Sequence, residues 1–113
     1  MKKIIVALAM LALVGCKSMA DLRASTPNNT FRSNHDVNTL SLCILNGWQN
    51  NSVRYGEVFI QPLNNGKTVY SQGEQELVDI FANSNETTVK FYHQSGLFEY
   101  RVDSRINVLK SCI

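Results

Sequence analysis

Apolar residues along the chain form first one unbroken run, then a helical spacing, then an alternation, and finally a helical spacing again. The run is Ile4 to Val14, behind Met1-Lys2-Lys3. Further on, Leu40, Cys43, Ile44 and Trp48 recur at i, i+3, i+4 and i+8, the spacing of one buried helical stripe, and Leu42 and Leu45 widen it. Ser33, Asn34 and Asp36 offer capping chemistry before it, and Gly47 with Asn50-Asn51 predicts an end near Trp48. From Val53 the period falls to two. Glu57 to Gln61 alternates, Pro62-Leu63-Asn64-Asn65-Gly66 supplies a turn, Lys67 to Gln72 returns, and Gly73 breaks the pattern. Glu76 to Ala82 and Thr87 to His93 are two more strands around Asn83-Ser84-Asn85-Glu86. Beyond Gln94-Ser95-Gly96, the residues Phe98, Val102, Ile106, Leu109 and Ile113 step at helical intervals, with Arg101, Arg105 and Lys110 off that face. A fifth strand over Leu97 to Val102 is the alternative reading of those residues.

The pattern predicts an α+β fold of two layers. A four-stranded antiparallel meander carries an N-terminal and a C-terminal helix on one face, in the order α-β-β-β-β-α. No internal repeat and no second domain are visible in 113 residues, a length that suits one small domain.

The opening run is too short to cross a membrane. Its eleven residues make about 16 Å of helix, against a hydrocarbon core of about 30 Å. Behind two lysines it reads as the hydrophobic region of a secretory signal. Leu13-Val14-Gly15-Cys16 follows, and it resembles the lipobox of bacterial lipoprotein precursors. The resemblance covers only the first sixteen positions. It implies removal of residues 1–15 and attachment of diacylglycerol to the Cys16 thiol, an anchor that gains about 0.8 kcal/mol per buried methylene. In enterobacterial lipoproteins an Asp after the cysteine favours retention in the inner membrane. Lys17 stands there, which implies the outer membrane, facing the periplasm, in a Gram-negative host. Residues 16–34 then form the lipidated N-terminus and a polar tether, and residues 35–113 the domain.

Charge adds no partner. The chain has eleven Lys+Arg and nine Asp+Glu, and loss of Lys2 and Lys3 leaves nine of each. A neutral domain has neither the basic footprint of a nucleic-acid binder nor a polybasic stripe for anionic lipid. Cysteine usage says more. With Cys16 given to lipid, Cys43 and Cys112 remain in a compartment that permits disulfides, and only one pairing is open to them. Such a bridge requires the two predicted helices to lie side by side.

Candidate chemistry is sparse. Glu74 and Glu76 share a parity near a turn and read as a solvated edge. His93, with Asp79 on the neighbouring strand and Ser95 nearby, is the basis for an alternative reading as a small hydrolase. No phosphate-binding glycine loop, zinc-ligand spacing or other cofactor motif is present. Aromatic residues are the remaining signal. Phe59, Tyr70, Phe81 and Tyr92, with Leu77, line the second face of the sheet if their parities match, and an apolar open face is a docking surface. Dimerisation through that face, or its shielding by the preceding polar segment, is an equal reading. The expectation is therefore a non-catalytic, lipid-anchored domain that binds an envelope protein. A purely structural subunit of an envelope complex is the further alternative.

Overall fold

The computed structural model describes residues 17–113. The expected signal peptide and Cys16 lie outside these residues. Among the described residues no helix is long and apolar enough to cross a membrane. The elements run α1 (Met19–Ala24), β1 (Asn29–Ser33), α2 (Val37–Gln49), α3 (Ser52–Tyr55), β2 (Val58–Leu63), β3 (Gly66–Ser71), β4 (Glu76–Asn83), β5 (Glu86–His93) and α4 (Glu99–Cys112). A single 3-10 turn, Gln72–Glu74, separates β3 from β4.

The fold is α+β, as the hydrophobic pattern predicts, but with five strands instead of four. All neighbours are antiparallel, in the order β1-β5-β4-β3-β2. The extra strand comes from the segment expected to be a tether. Asn29-Thr30-Phe31-Arg32-Ser33 has a single apolar side chain and so carries no alternating signal. It is held as an edge strand by its ladder with β5 and by Phe31, which packs on the core. The helix arrangement differs too. α2 and α4 cover one face of the sheet, while α1 lies on the other, so the sheet is a middle layer. α1 is six residues long and is fixed at its start by a capping box between Ser18 and Asp21.

The core between the sheet and the α2/α4 pair holds Leu40, Ile44 and Trp48 from α2. Val58, Val69, Val78, Ile80, Val89 and Phe91 come from the strands, and Leu109 and Cys112 from α4. Trp48 meets Phe91 edge to face at 6.0 Å. The α2 stripe is the expected one at Leu40, Ile44 and Trp48, but Ser41 is buried with them, while Cys43 and Leu42 are exposed and Leu45 is half-buried. Asp36 caps α2 by accepting a hydrogen bond from the Thr39 amide. Gly47 lies inside the helix and does not end it. A Cβ there would stand 2.5 Å from Val108 Cγ1, so this glycine sets how closely α2 and α4 approach.

α4 forms where its spacing predicts a helix, but it buries a different stripe. Arg105, Leu109 and Cys112 face inward, Val102 and Ile106 flank them, and Phe98 and Ile113 are exposed. The rotation has a chemical cause, because the inward position of Arg105 is matched by a buried acid on β4. The Cys43–Cys112 disulfide links the two helices across a Cα separation of 5.9 Å.

Candidate functional site

Register places the four predicted face residues on one side of the sheet. Phe59, Tyr70, Leu77 and Tyr92 are successive cross-strand partners and form one row. Gln61, Thr68, Asp79, Lys90 and Thr30 form the next. Leu63, Gly66, Phe81, Thr88 and Arg32 form the third. The sequence parities therefore identify a shared face. They do not identify a bare one.

α1 lies across it. Leu22 is buried against Leu77 and Tyr92, with Met19 and Tyr70 beside them. Arg23 reaches Asp79 with both Nε (2.8 Å) and Nη2 (2.9 Å), and Nη2 also meets Thr68 Oγ1 at 2.8 Å. Thr68 in turn donates to Asp79 Oδ1 at 2.6 Å. The bidentate carboxylate holds the Arg23 pKa above its ordinary value. Burial pushes the Tyr92 phenol up, and Asp79 adds to that shift. Tyr92 is thus part of a small second core and is not exposed. Of the aromatic set only Phe59 is exposed (39%), tilted against the half-buried Tyr70 at 5.4 Å, and Phe81 is half-buried under the Lys90 ammonium. Ile60, on the opposite side of the same edge strand, is 38% exposed. β2 therefore presents an apolar side chain from each face along an edge that is unpaired among the described residues.

The predicted solvated edge at Glu74 and Glu76 is not one. Glu76 shares the parity of Val78 and Ile80 and is fully buried. Arg105, 1% exposed, donates from Nε to Glu76 Oε1 at 3.0 Å and from Nη1 to the Trp48 carbonyl at 3.1 Å. The Trp48 indole N–H returns a bond to the Arg105 carbonyl. Arg101 closes the other side, pairing with both carboxylate oxygens of Glu76 and donating to the Tyr55 carbonyl. Trp48 and Tyr55 present ring faces to the Arg105 guanidinium at 4.9 and 5.3 Å. Desolvation lowers the Arg105 pKa despite the opposing pull of Glu76. Its Nη2 has no hydrogen-bond partner among the described residues. The cluster fastens α4 and the α2–α3 corner to β4. Beside it, an open groove of about 640 Å³ is lined by Asn51, Arg54, Tyr55, Tyr100, Asp103 and Ser104.

The hydrolase constellation is not assembled. His93 is opposite Glu76 in the ladder and Asp79 is opposite Lys90, so the two side chains leave from opposite faces. His93 Nδ1 instead lies 2.7 Å from the Gln94 carbonyl, and Ser95 sits in an exposed turn. Among the described residues no group of three or more His, Cys, Asp or Glu could hold a metal ion.

The chain matches no known family model, and no curated protein is similar to it.

Sequence reasoning missed Arg23, Arg101, Arg105 and Ile60. For the arginine pair the signal was present, since Arg101 and Arg105 stand four apart and Glu76 has inward parity. For Arg23 there is none, because the six residues Met19–Ala24 are too short a stretch to show a helical period.

Proposed function

We propose that this protein is a non-catalytic, lipid-anchored domain of the bacterial envelope that holds a protein partner. The observation that carries the proposal is the β2 edge. Phe59 and Ile60 expose apolar surface on both sides of a strand whose outer backbone groups have no strand partner among the described residues. An edge of this kind accepts an extended segment of another chain by adding a strand, with alternate side chains read by the flanking apolar positions. The lipobox-like Leu13-Val14-Gly15-Cys16 supports anchoring through an acylated Cys16, and Lys17 supports the outer membrane as its location. The partner is then another protein of the periplasm-facing surface.

Photoreactive residues at Phe59 and Ile60 of the full-length protein, crosslinked in intact cells, test the proposal. One envelope protein captured at both positions, and lost when Ile60 is changed to Lys, is the expected result. Crosslinks joining two copies of the chain would replace the partner by a homodimer. No capture at either position would overturn the edge as a binding site.

A further inference from the structure

Lys17, the first described residue, is already bound to the fold. Its amide donates to Gln94 Oε1 at 3.0 Å, and Gln94 Nε2 donates back to the Lys17 carbonyl at 2.5 Å and to the Glu74 carbonyl at 3.0 Å. Gln94 is itself buried and continues the ladder through its amide to the Gln75 carbonyl. Cys16 is one peptide away, and consecutive Cα atoms are about 3.8 Å apart. If Cys16 carries the lipid, as the proposed function holds, no slack separates the anchor from the domain. The end of the sheet at Gln94 then has to rest against the bilayer.

That end carries the largest exposed apolar side chains of the helical side. The chain passes from Gln94 through Ser95 and Gly96 to Phe98, which is 69% exposed and stacks on Tyr100 (54% exposed) at 5.4 Å. Arg54 lies over the Tyr100 ring at 5.3 Å. Phe98 is four residues from Gln94, at most about 14 Å of extended chain. Charge around the patch is mixed, with Lys17 and Arg54 against Glu74 and Glu99. The fitting surface is therefore recognised by its apolar and aromatic character and not by head-group charge. Aromatic side chains of this kind settle at the level of the head groups, with apolar faces about 5–10 Å into the interface.

We infer that Phe98 and Tyr100 form a second contact with the lipid surface that holds the anchor, so that the domain lies in one fixed orientation with the β4–β5 turn pointing away. This rests on the acylation of Cys16. The test uses the full chain purified from membranes and reconstituted in vesicles of phosphatidylethanolamine and phosphatidylglycerol with brominated acyl chains. Phe98→Trp is compared with Asn85→Trp. Asn85 is exposed in the β4–β5 turn, about 26 Å away along an eight-residue strand. The buried Trp48 contributes the same background to both. Mass spectrometry of the same samples reports the acyl groups on Cys16.

The expected result is an acylated protein in which residue 98 is quenched severalfold more strongly than residue 85, at low and at high phosphatidylglycerol content alike. Equal quenching in an acylated protein overturns the orientation and leaves the anchor standing. Quenching that needs the anionic lipid overturns the apolar contact. A protein without acyl mass overturns anchor and orientation together.

Discussion

Replacing Glu76 with glutamine removes one charge from a site where water cannot compensate. The carboxylate is fully buried and shared by Arg105, which is 1% exposed, and by Arg101, which keeps partial access to solvent. Glu76→Gln keeps the shape and some hydrogen bonding, but leaves the Arg105 guanidinium buried without a counter-charge. Removing one partner of a buried ion pair costs about 3–5 kcal/mol. A domain of this size loses about 4–8 °C of Tm per kcal/mol, so the melting point falls by at least about 12 °C. Urea unfolding at pH 7, followed by far-UV circular dichroism, gives the free energy directly. The double variant Glu76→Leu with Arg105→Met is the control, because replacing a buried pair by packed apolar groups is often neutral or stabilising by about 1–4 kcal/mol. It should recover most of the loss, with Arg101 turning out to water. A Glu76→Gln protein within about 1 kcal/mol of the parent would show that Arg105 is not desolvated as described and would refute the reasoning.

Four further perturbations follow from other parts of the fold. Changing Cys43 and Cys112 together to Ser opens a loop with a sequence separation of 69 and should lower stability by about 4 kcal/mol, read from urea midpoints with and without reductant. Asp79→Asn removes the charge that Arg23 grips in two places, so amides of residues 19–24 should lose hydrogen-exchange protection while those of β4 and β5 keep theirs. Gly66→Ala puts a Cβ 1.9 Å from the Ile80 carbonyl oxygen, so the β3–β4 ladder has to shift, and a loss of about 1–3 kcal/mol is expected on thermal unfolding. The Asp36 cap works in its ionised form, and its hydrogen bonds from Thr39 hold the folded pKa below the ordinary value. Its contribution is therefore present above the unfolded carboxylate range and is lost as pH falls through the lower folded value. The stability gap between the parent and Asp36→Ala should narrow from pH 7 to pH 3, and a gap that widens would contradict this.

Much of the architecture is legible in the sequence where one physical signal dominates. Leu40, Ile44 and Trp48 announce α2 because nothing competes with burial on that stripe, and Asn64-Asn65 and Asn83-Ser84-Asn85 mark the hairpins by turn chemistry. The misreadings fall where a charged residue is used as an inside residue. Arg105 looked like surface because its charge is the rule for surface. Its position is decided by Glu76, 29 residues away, and no local pattern contains that pairing. β1 and α1 were hidden for a related reason. β1 has one apolar side chain facing a core, Phe31, and α1 has Leu22 with Met19 beside it, and both elements are held in place by contacts more than fifty residues distant. The shared face of Phe59, Tyr70, Phe81 and Tyr92 could be read from parity, but its cover could not.

The pairing of β1 with β5 also fixes an order of events. β2 to β5 are joined by short turns, and their contacts close small loops. β1 must find Phe91 and Val89 across some sixty residues of chain, as the partners Asn29↔Phe91 and Phe31↔Val89 require. Local pairing is favoured kinetically because long loops cost more entropy to close. The four-stranded meander is thus the natural first product of folding, and β1 with its neighbouring helix is the last piece laid on. Until then β5 is a free edge, and Leu77 and Tyr92 lie in the open. The surface most prone to misassociation during folding is the one the finished molecule covers with its own N-terminal segment, so a chain lacking both α1 and β1 should aggregate on refolding even though the buried residues of the α2/α4 core are all present.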